Sequence, residues 1–330
     1  VPYTNDSTHA TAALVGILNT LLVAFVGCIL ATIIGVFVGI LRLSKNWIIA
    51  KLMSVYIEGF RNVPLLLWIV MVFALLTEFT PQPRAFKGEN PDASMIMFES
   101  IAVTNRGTYL PNPQWGTGSI WLILVFLVSL LGIVIFRRYA KNIQKNTGRN
   151  LPVLWVSLGI FFVPTILFYF ILGSPVTLEY PYLKGFNFKD GVHIRNSFIA
   201  LTLALAFYTS AFIGEIVRSG IMAISKGQTE AASALGMRPN KIMSLIILPQ
   251  ALRVIVPPMI SQYLNLTKNS SLAIAVGYMD VRGTLGGITL NQTGREMESM
   301  VLLMGFYLTV SLIISSVINY FNRSFQLVGK

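Results

Sequence analysis

Apolar residues run along this chain in long blocks, not in strict alternation and not at the spacing of a one-faced surface helix. Seven blocks reach the length a helix needs to cross a bilayer, about 17–25 residues. They lie at roughly 13–41, 55–77, 119–136, 151–172, 196–219, 252–278 and 299–321. The first, third, fourth and seventh are nearly uninterrupted, whereas the second and fifth carry charges near one end. The sixth contains Pro257, Pro258 and Lys268, so the pattern predicts a helix disturbed at the prolines. The fold class expected from this is all-α: a polytopic helical membrane protein of about seven spans. Residues 1–12 form a segment outside the membrane, 13–322 the membrane domain and 323–330 a tail.

The polar stretches between the blocks orient the chain. Fifteen of the 25 Lys and Arg residues fall in 42–54, 137–150, 218–253 and 322–330, and eight in 1–12, 78–118, 173–195 and 279–298. Ten of the 13 acidic residues lie on the second side. The excess of basic residues marks the first set, with the C-terminus, as cytoplasmic. Two outer loops then stand out. Residues 78–118 are long and rich in Pro, Asn and Gly, and 173–195 carries Tyr180, Tyr182, Phe186 and Phe188. These aromatics are either an interfacial belt or part of a docking surface.

Composition agrees with the pattern. Charged residues make up 12% and hydrophobic ones 54%, where a soluble domain carries about 25% charged. The net charge of +12 would suggest nucleic acid in a soluble protein; here it follows the membrane topology instead, and no nucleic-acid partner is expected. The single cysteine, Cys28, lies in an apolar block and excludes an internal disulfide and a cysteine metal cluster. His9 and His193 are isolated loop residues in this reading. No metal site and no cofactor are expected. The chain begins at Val1 without a basic leader, which leaves room for a further helix upstream.

The cytoplasmic stretch 220–250 is the most informative. Residues 228–235 (QTEAASAL) are good helix formers bracketed by Gly227 and Gly236. They predict a helix too short to span and too short to be stable alone, so it needs a partner surface. Its alanines give a thin profile, and Glu230 is its one charge.

This stretch resembles the EAA loop of ABC importer membrane subunits. Glu230-Ala231-Ala232 stands for the motif core, Gly236 for the glycine that follows, and Leu248-Pro249-Gln250-Ala251-Leu252 continues the likeness. Residues 58–66 (EGFRNVPLL), 214–218 (GEIVR), 226–232 (KGQTEAA) and 268–272 (KNSSL) resemble the histidine/glutamine-type permeases for polar amino acids. Asn269 stands where that group commonly has an acid. The likeness covers most of 13–322, and the extra length at 78–172 is similar to general L-amino-acid permeases. The resemblance implies a type I importer permease fold in a bacterial inner membrane. It implies a coupling surface of Lys226, Gly227, Gln228, Glu230, Ala231, Ala232 and Gly236. The implied partners are an ABC ATPase subunit dimer, a second homologous permease in a heterodimer, a periplasmic amino-acid-binding protein and the amino-acid substrate.

Charges inside spans are costly and mark function by default. Glu58 and Arg61 are three apart, as are Glu215 and Arg218, so each pair can meet on one helix face, as an anchor or as a cytoplasmic gate. Lys268 has no acid within four positions and pairs either with a distant glutamate or with a substrate carboxylate. A zwitterion needs donors for its carboxylate and acceptors for its ammonium. The candidates for the substrate pathway are Glu58, Arg61, Asn62, Tyr208, Thr209, Ser210, Glu215, Arg218, Asn265, Thr267, Lys268, Asn269, Ser270 and Ser271. The chain lacks a G-x-x-x-x-G-K-[ST] loop, H-E-x-x-H and G-x-S-x-G, so no catalytic residue is assigned and ATP hydrolysis is expected of a separate subunit. The main rival is an ion-coupled secondary transporter, which shares intramembrane charges and broken helices but needs no EAA loop.

Overall fold

Seven stretches of the computed structural model are long and apolar enough to cross a membrane. The structure describes residues 8–87, 93–148 and 151–325, with side chains as far as Ser316. The first seven residues of the expected outer segment and the tail beyond Phe325 lie outside the described residues. The chain divides into two compact units, one formed by 1–80 and 195–330, the other by 81–194, so the 13–322 segment contributes to both.

In the first unit, α1 (His9–Leu41) spans about 50 Å at 1.5 Å per residue. The Thr8 hydroxyl caps it by accepting from the Thr11 N–H, and His9 is its first residue instead of a loop position. The second expected block is not one helix. It divides into α2 (Trp47–Asn62) and α3 (Leu65–Glu78), because Val63 sits in the extended region before Pro64, as steric clash with a proline ring requires. The span is Leu65–Phe86, and Glu58, Arg61 and Asn62 lie ahead of it on α2.

The centre of the unit is α6 (Asn196–Met222), the most enclosed of the spans. Its small residues let its neighbours approach closely: α1 meets it through Gly35 and Gly39, both buried, while Gly27 of α1 faces Leu266 of α9. In a membrane, where lipid is as apolar as leucine, such small-residue stripes allow the packing that holds helices together. Beyond α6 come α7 (Lys226–Ala234) and α8 (Pro239–Ile242). A π turn over Met243–Ile247 then leads into α9 (Leu248–Asn269).

The expected disturbance at Pro257 and Pro258 does not occur: α9 runs through both. The carbonyls they release belong to Arg253 and Val254, which are exposed, so the loss is not buried in the bundle. The irregularity lies at the ends of α9 instead, in the π turn before it and in a 3₁₀ turn over Ser270–Val276 after it. There follow α10 (Val281–Gly283), a π turn over Thr284–Thr289, α11 (Leu290–Thr293) and α12 (Glu296–Phe325).

The second unit adds short strands to the expected helical fold. Its apolar hairpin, α4 (Ser119–Thr147) and α5 (Val153–Ile171), was expected. The two outer loops also fold into short strands: β1 (Ala102–Thr104), β2 (Gly107–Leu110), β3 (Asn112–Trp115), β4 (Val176–Glu179), β5 (Tyr182–Lys184), β6 (Asn187–Lys189) and β7 (Val192–Ile194). They form an antiparallel sheet in the order β1-β2-β7 and two hairpin-like pairs, β3-β4 and β5-β6. Phe188 is buried there with Ala102 and Tyr109, so it belongs to neither a belt nor a docking surface. Tyr180, Tyr182 and Phe186 are exposed, and the Arg84 guanidinium lies 4.6 Å from the centre of the Phe186 ring. His193, on β7, stacks on Tyr109 at 4.4 Å.

Candidate functional site

The short helix expected over 228–235 exists and begins two residues early, at Lys226. Gly227 is therefore inside its first turn and does not bracket it. Gly236 does end it: with φ +75° it adopts the left-handed conformation. Its N–H donates to the Ser233 carbonyl at 2.9 Å, and the Met237 N–H to that of Ala232 at 3.2 Å. Those two bonds form a Schellman closure.

Of the coupling candidates, only Ala232 is buried, against Ile242 and Ile247. Lys226, Gly227, Gln228, Glu230, Ala231 and Gly236 are exposed, as is Leu235. One alanine moors α7 to the bundle, and the rest of its surface is free for a partner.

The Glu215–Arg218 pair forms on α6, with Arg218 Nη2 at 2.6 Å from Glu215 Oε1. Sequence reasoning missed its third member. Arg42, at the C-terminal end of α1, also donates to Glu215 Oε2, so one carboxylate ties α1 to α6. The signal was present in the sequence, since Arg42 is the first basic residue after the first apolar block.

The other pair does not form. Glu58 accepts instead from Asn62 Nδ2 at 3.3 Å, one helical turn on. Arg61 reaches across to α6, 5.3 Å from the centre of the Phe212 ring, where its charge adds to the field at Glu215. The α2 helix thus turns toward α6, and this removes Arg61 from its sequence neighbour.

The remaining candidates divide by burial. Ser210 is wholly buried, bonded to the Tyr56 hydroxyl at 2.6 Å and to the Phe207 carbonyl at 2.7 Å. Thr209 is buried beside it, and Tyr208 packs at 5.1 Å from Phe212. At the end of α9, Thr267 and Ser270 are buried and bonded to carbonyls one turn back. Asn265 and Lys268 are exposed, and Asn269 and Ser271 are half-buried. Among the described residues Lys268 makes no ion pair, so the expected glutamate partner on another helix is not found.

The segment after α9 holds a second group that sequence reasoning missed. Asp280 is fully buried. It accepts from the Gly283 N–H at 2.8 Å and from the Tyr307 hydroxyl at 3.4 Å. Burial pushes its carboxyl up from the ordinary value, opposed by the N–H groups of Gly283 and Arg282 and by Tyr307. Through Asp280, Tyr307 joins this segment to α12. The same segment docks on α1: Asn19 Nδ2 donates to the Met279 carbonyl at 2.8 Å, and the Val281 N–H to Thr20 Oγ1 at 3.0 Å. Arg282 Nη1 donates to the Ser271 carbonyl at 3.3 Å.

Residues 145–326 match the family described as the binding-protein-dependent transport system inner membrane component. Over 99% of this chain and 82% of its own length, the glutamate/glutamine/aspartate/asparagine transport system permease protein BztB of Rhodobacter capsulatus is 53% identical. The chain belongs to that family. A second permease relative, the general L-amino acid transport system permease protein AapQ of Rhizobium johnstonii, is 43% identical over all of this chain and 80% of its own. The crystal structure of an amino acid ABC transporter with histidines shares the fold, with a TM-score of 0.55 at 20% identity, over 96% of this chain and 94% of that one.

As a permease of this family, the chain is a multi-pass inner-membrane component that works with a binding protein and leaves ATP hydrolysis to a separate subunit.

Proposed function

We propose that this permease forms half of the path of an ATP-driven uptake system for polar L-amino acids. The substrate class follows the relatives BztB and AapQ, named for glutamate, glutamine, aspartate and asparagine and for general L-amino acids. The observation that carries the coupling is α7. It is a two-turn helix, exposed except at Ala232, and closed by a glycine at φ +75°. Helices of this length are marginal on their own, so a docking cleft on the ATPase completes it.

Nucleotide-driven closure of an ATPase dimer pushes α7, and α6, continuous with it through Ala223–Ser225, transmits the push to α1. Residues 42–54, 137–150, 218–253 and the C-terminus face the cytoplasm in this reading. The partner is a second, homologous permease. Lys268, Asn265, Asn269 and Ser271 offer exposed or half-buried polar groups to substrate. Glu58, Arg61 and Asn62 on α2, with Glu215 and Arg218, stand nearer the cytoplasmic end.

The test is Glu230→Arg in the reconstituted transporter. A reversed charge in the cleft is expected to lower substrate-stimulated ATPase and uptake together, by about tenfold or more for one lost charge-assisted contact. Gly236 is a poorer choice, because any side chain there is strained. Uptake and ATPase that both survive Glu230→Arg would remove the coupling role. The sidedness has its own check. A Thr229→Cys permease is expected to react with a membrane-impermeant maleimide in inside-out vesicles and not in intact spheroplasts. The reverse labelling would turn the topology over.

A further inference from the structure

An open groove of about 550 Å³ lies among the 3₁₀ turn Ser270–Val276, the π turn Thr284–Thr289 and α12. Arg282 is its only charged lining residue, and Ser271 and Tyr307 are polar; Ile274, Leu303 and the two methionines Met300 and Met304 supply apolar wall. Its size falls within the about 300–1,000 Å³ of small-molecule sites, and its make-up, apolar with a few polar groups, is that of such sites.

We propose that Arg282 binds the α-carboxylate of the amino acid in transit. This rests on the amino-acid reading above and adds to it a residue that the EAA and KNSSL resemblances do not include. The Arg282 guanidinium has five donors. One donates to the Ser271 carbonyl at 3.3 Å, and among the described residues Arg282 forms no ion pair. The acid two residues before it, Asp280, is fully buried and occupied by the Gly283 N–H and the Tyr307 hydroxyl. An exposed planar fork beside an apolar wall has the geometry that takes a carboxylate in two parallel bonds.

One wall is held in place, since the lining residue Tyr307 donates to the buried Asp280. Irregular helical turns border the groove on two sides, as they often do at functional sites. The rest of the wall suits a broad substrate range. The α-carboxylate is common to every amino acid, so one arginine recognises all of them. Met300 and Met304, unbranched and polarisable, adapt to differing side chains.

The experiment uses the complete transporter in nanodiscs, titrated with L-glutamine, with L-glutamate and with L-glutamine amide, in which the α-carboxylate is blocked. Wild type is expected to bind the two acids and to bind the amide about 10- to 100-fold more weakly, the range set by losing a charge-assisted pair. In Arg282→Gln that preference should vanish; Arg282→Lys, which keeps a point charge without the fork, should keep part of it. Leu303→Trp, which fills the groove and leaves the charge, should weaken all three ligands alike.

Equal preference for acid over amide in wild type and Arg282→Gln overturns the proposal, as does unchanged binding in Leu303→Trp. So does a fatty acid or anionic lipid that copurifies with wild type and is lost in Arg282→Gln while L-glutamine binds both equally. Vesicle uptake separates the two readings. Amino-acid uptake by wild type with no effect of Arg282→Gln refutes only the arginine's role. No amino-acid uptake by wild type refutes the substrate class itself.

Discussion

Replacing Gly39 by leucine should leave little folded permease in the membrane. The expectation follows from where α1 meets α6. A Cβ at Gly39 would stand 2.6 Å from the Gly214 carbonyl oxygen and 2.8 Å from Val217 Cβ, and the first of these is backbone. One turn earlier, a Cβ at Gly35 would stand 2.6 Å from Ile213 Cγ2 and 2.9 Å from the Ser210 carbonyl oxygen. Neither carbonyl can rotate away.

The α9 helix packs on a neighbouring face of α6, where Ile255 occupies the space a side chain at Gly220 would need, so α6 has little freedom to shift. Overpacking that side chains can absorb costs about 1–3 kcal/mol. Here whole helices must part, so the loss lies at or above that range, and a leucine adds three more carbons. Gly59→Ala is the matched control, since nothing lies within 4 Å of its Cβ position. Fluorescence-detected size exclusion of detergent extracts reads both variants. A monodisperse peak of wild-type height for Gly39→Leu would show that the α1–α6 stripe is not what holds the bundle.

That stripe shows which features the sequence makes legible. The apolar blocks give the existence of the spans directly, because a membrane core tolerates no other element with so little charge. They do not give the seams. Gly35 and Gly39 read as ordinary small residues until α6 is laid against them.

Prolines misled in both directions for one reason. Pro64 follows a residue free to become extended and so ends α2, whereas Pro257 and Pro258 free carbonyls of exposed residues and leave α9 continuous. Local sequence carries the steric rule but not the surroundings that decide its cost. The strands of 102–194 were hidden because each is three or four residues long, too short for alternation to stand out.

At the site, the coupling helix was legible because its residues are contiguous. Arg42, Asp280, Arg282 and Tyr307 were not, because, the Gly283 N–H on Asp280 apart, their partners lie 11 to 173 positions away. The Glu58–Arg61 spacing was a true helical neighbour relation that a stronger contact across helices overrode.

Glu215→Leu is the substitution expected to expose how that cross-helix contact works. Glu215 answers two guanidinium groups at once, Arg42 from α1 and Arg218 from its own helix, and its side chain is 26% exposed against 18% for Arg42. Removing one member of a buried ion pair costs about 3–5 kcal/mol, chiefly because the other charge is left unpaired. Partial exposure lowers that to about 2–3 kcal/mol, since water still reaches the orphaned groups.

The detergent-solubilised permease should therefore melt several degrees lower. Adding Arg42→Met to Glu215→Leu removes the orphan at α1 and should recover part of the loss, because replacing both partners of such a pair by apolar groups is often close to neutral. Arg218 keeps its contact with the Met222 sulfur at 2.9 Å and stays near the surface. Uptake then decides what the contact is for. If it only fastens the ends of α1 and α6, the double variant recovers transport along with stability. If the carboxylate changes partners as the path opens, stability returns and uptake does not, because methionine and leucine cannot exchange charge with Arg61 on α2. A Glu215→Leu permease that melts and transports like wild type would exclude both roles, and the coupling path from α7 would then have to run through another contact of α6.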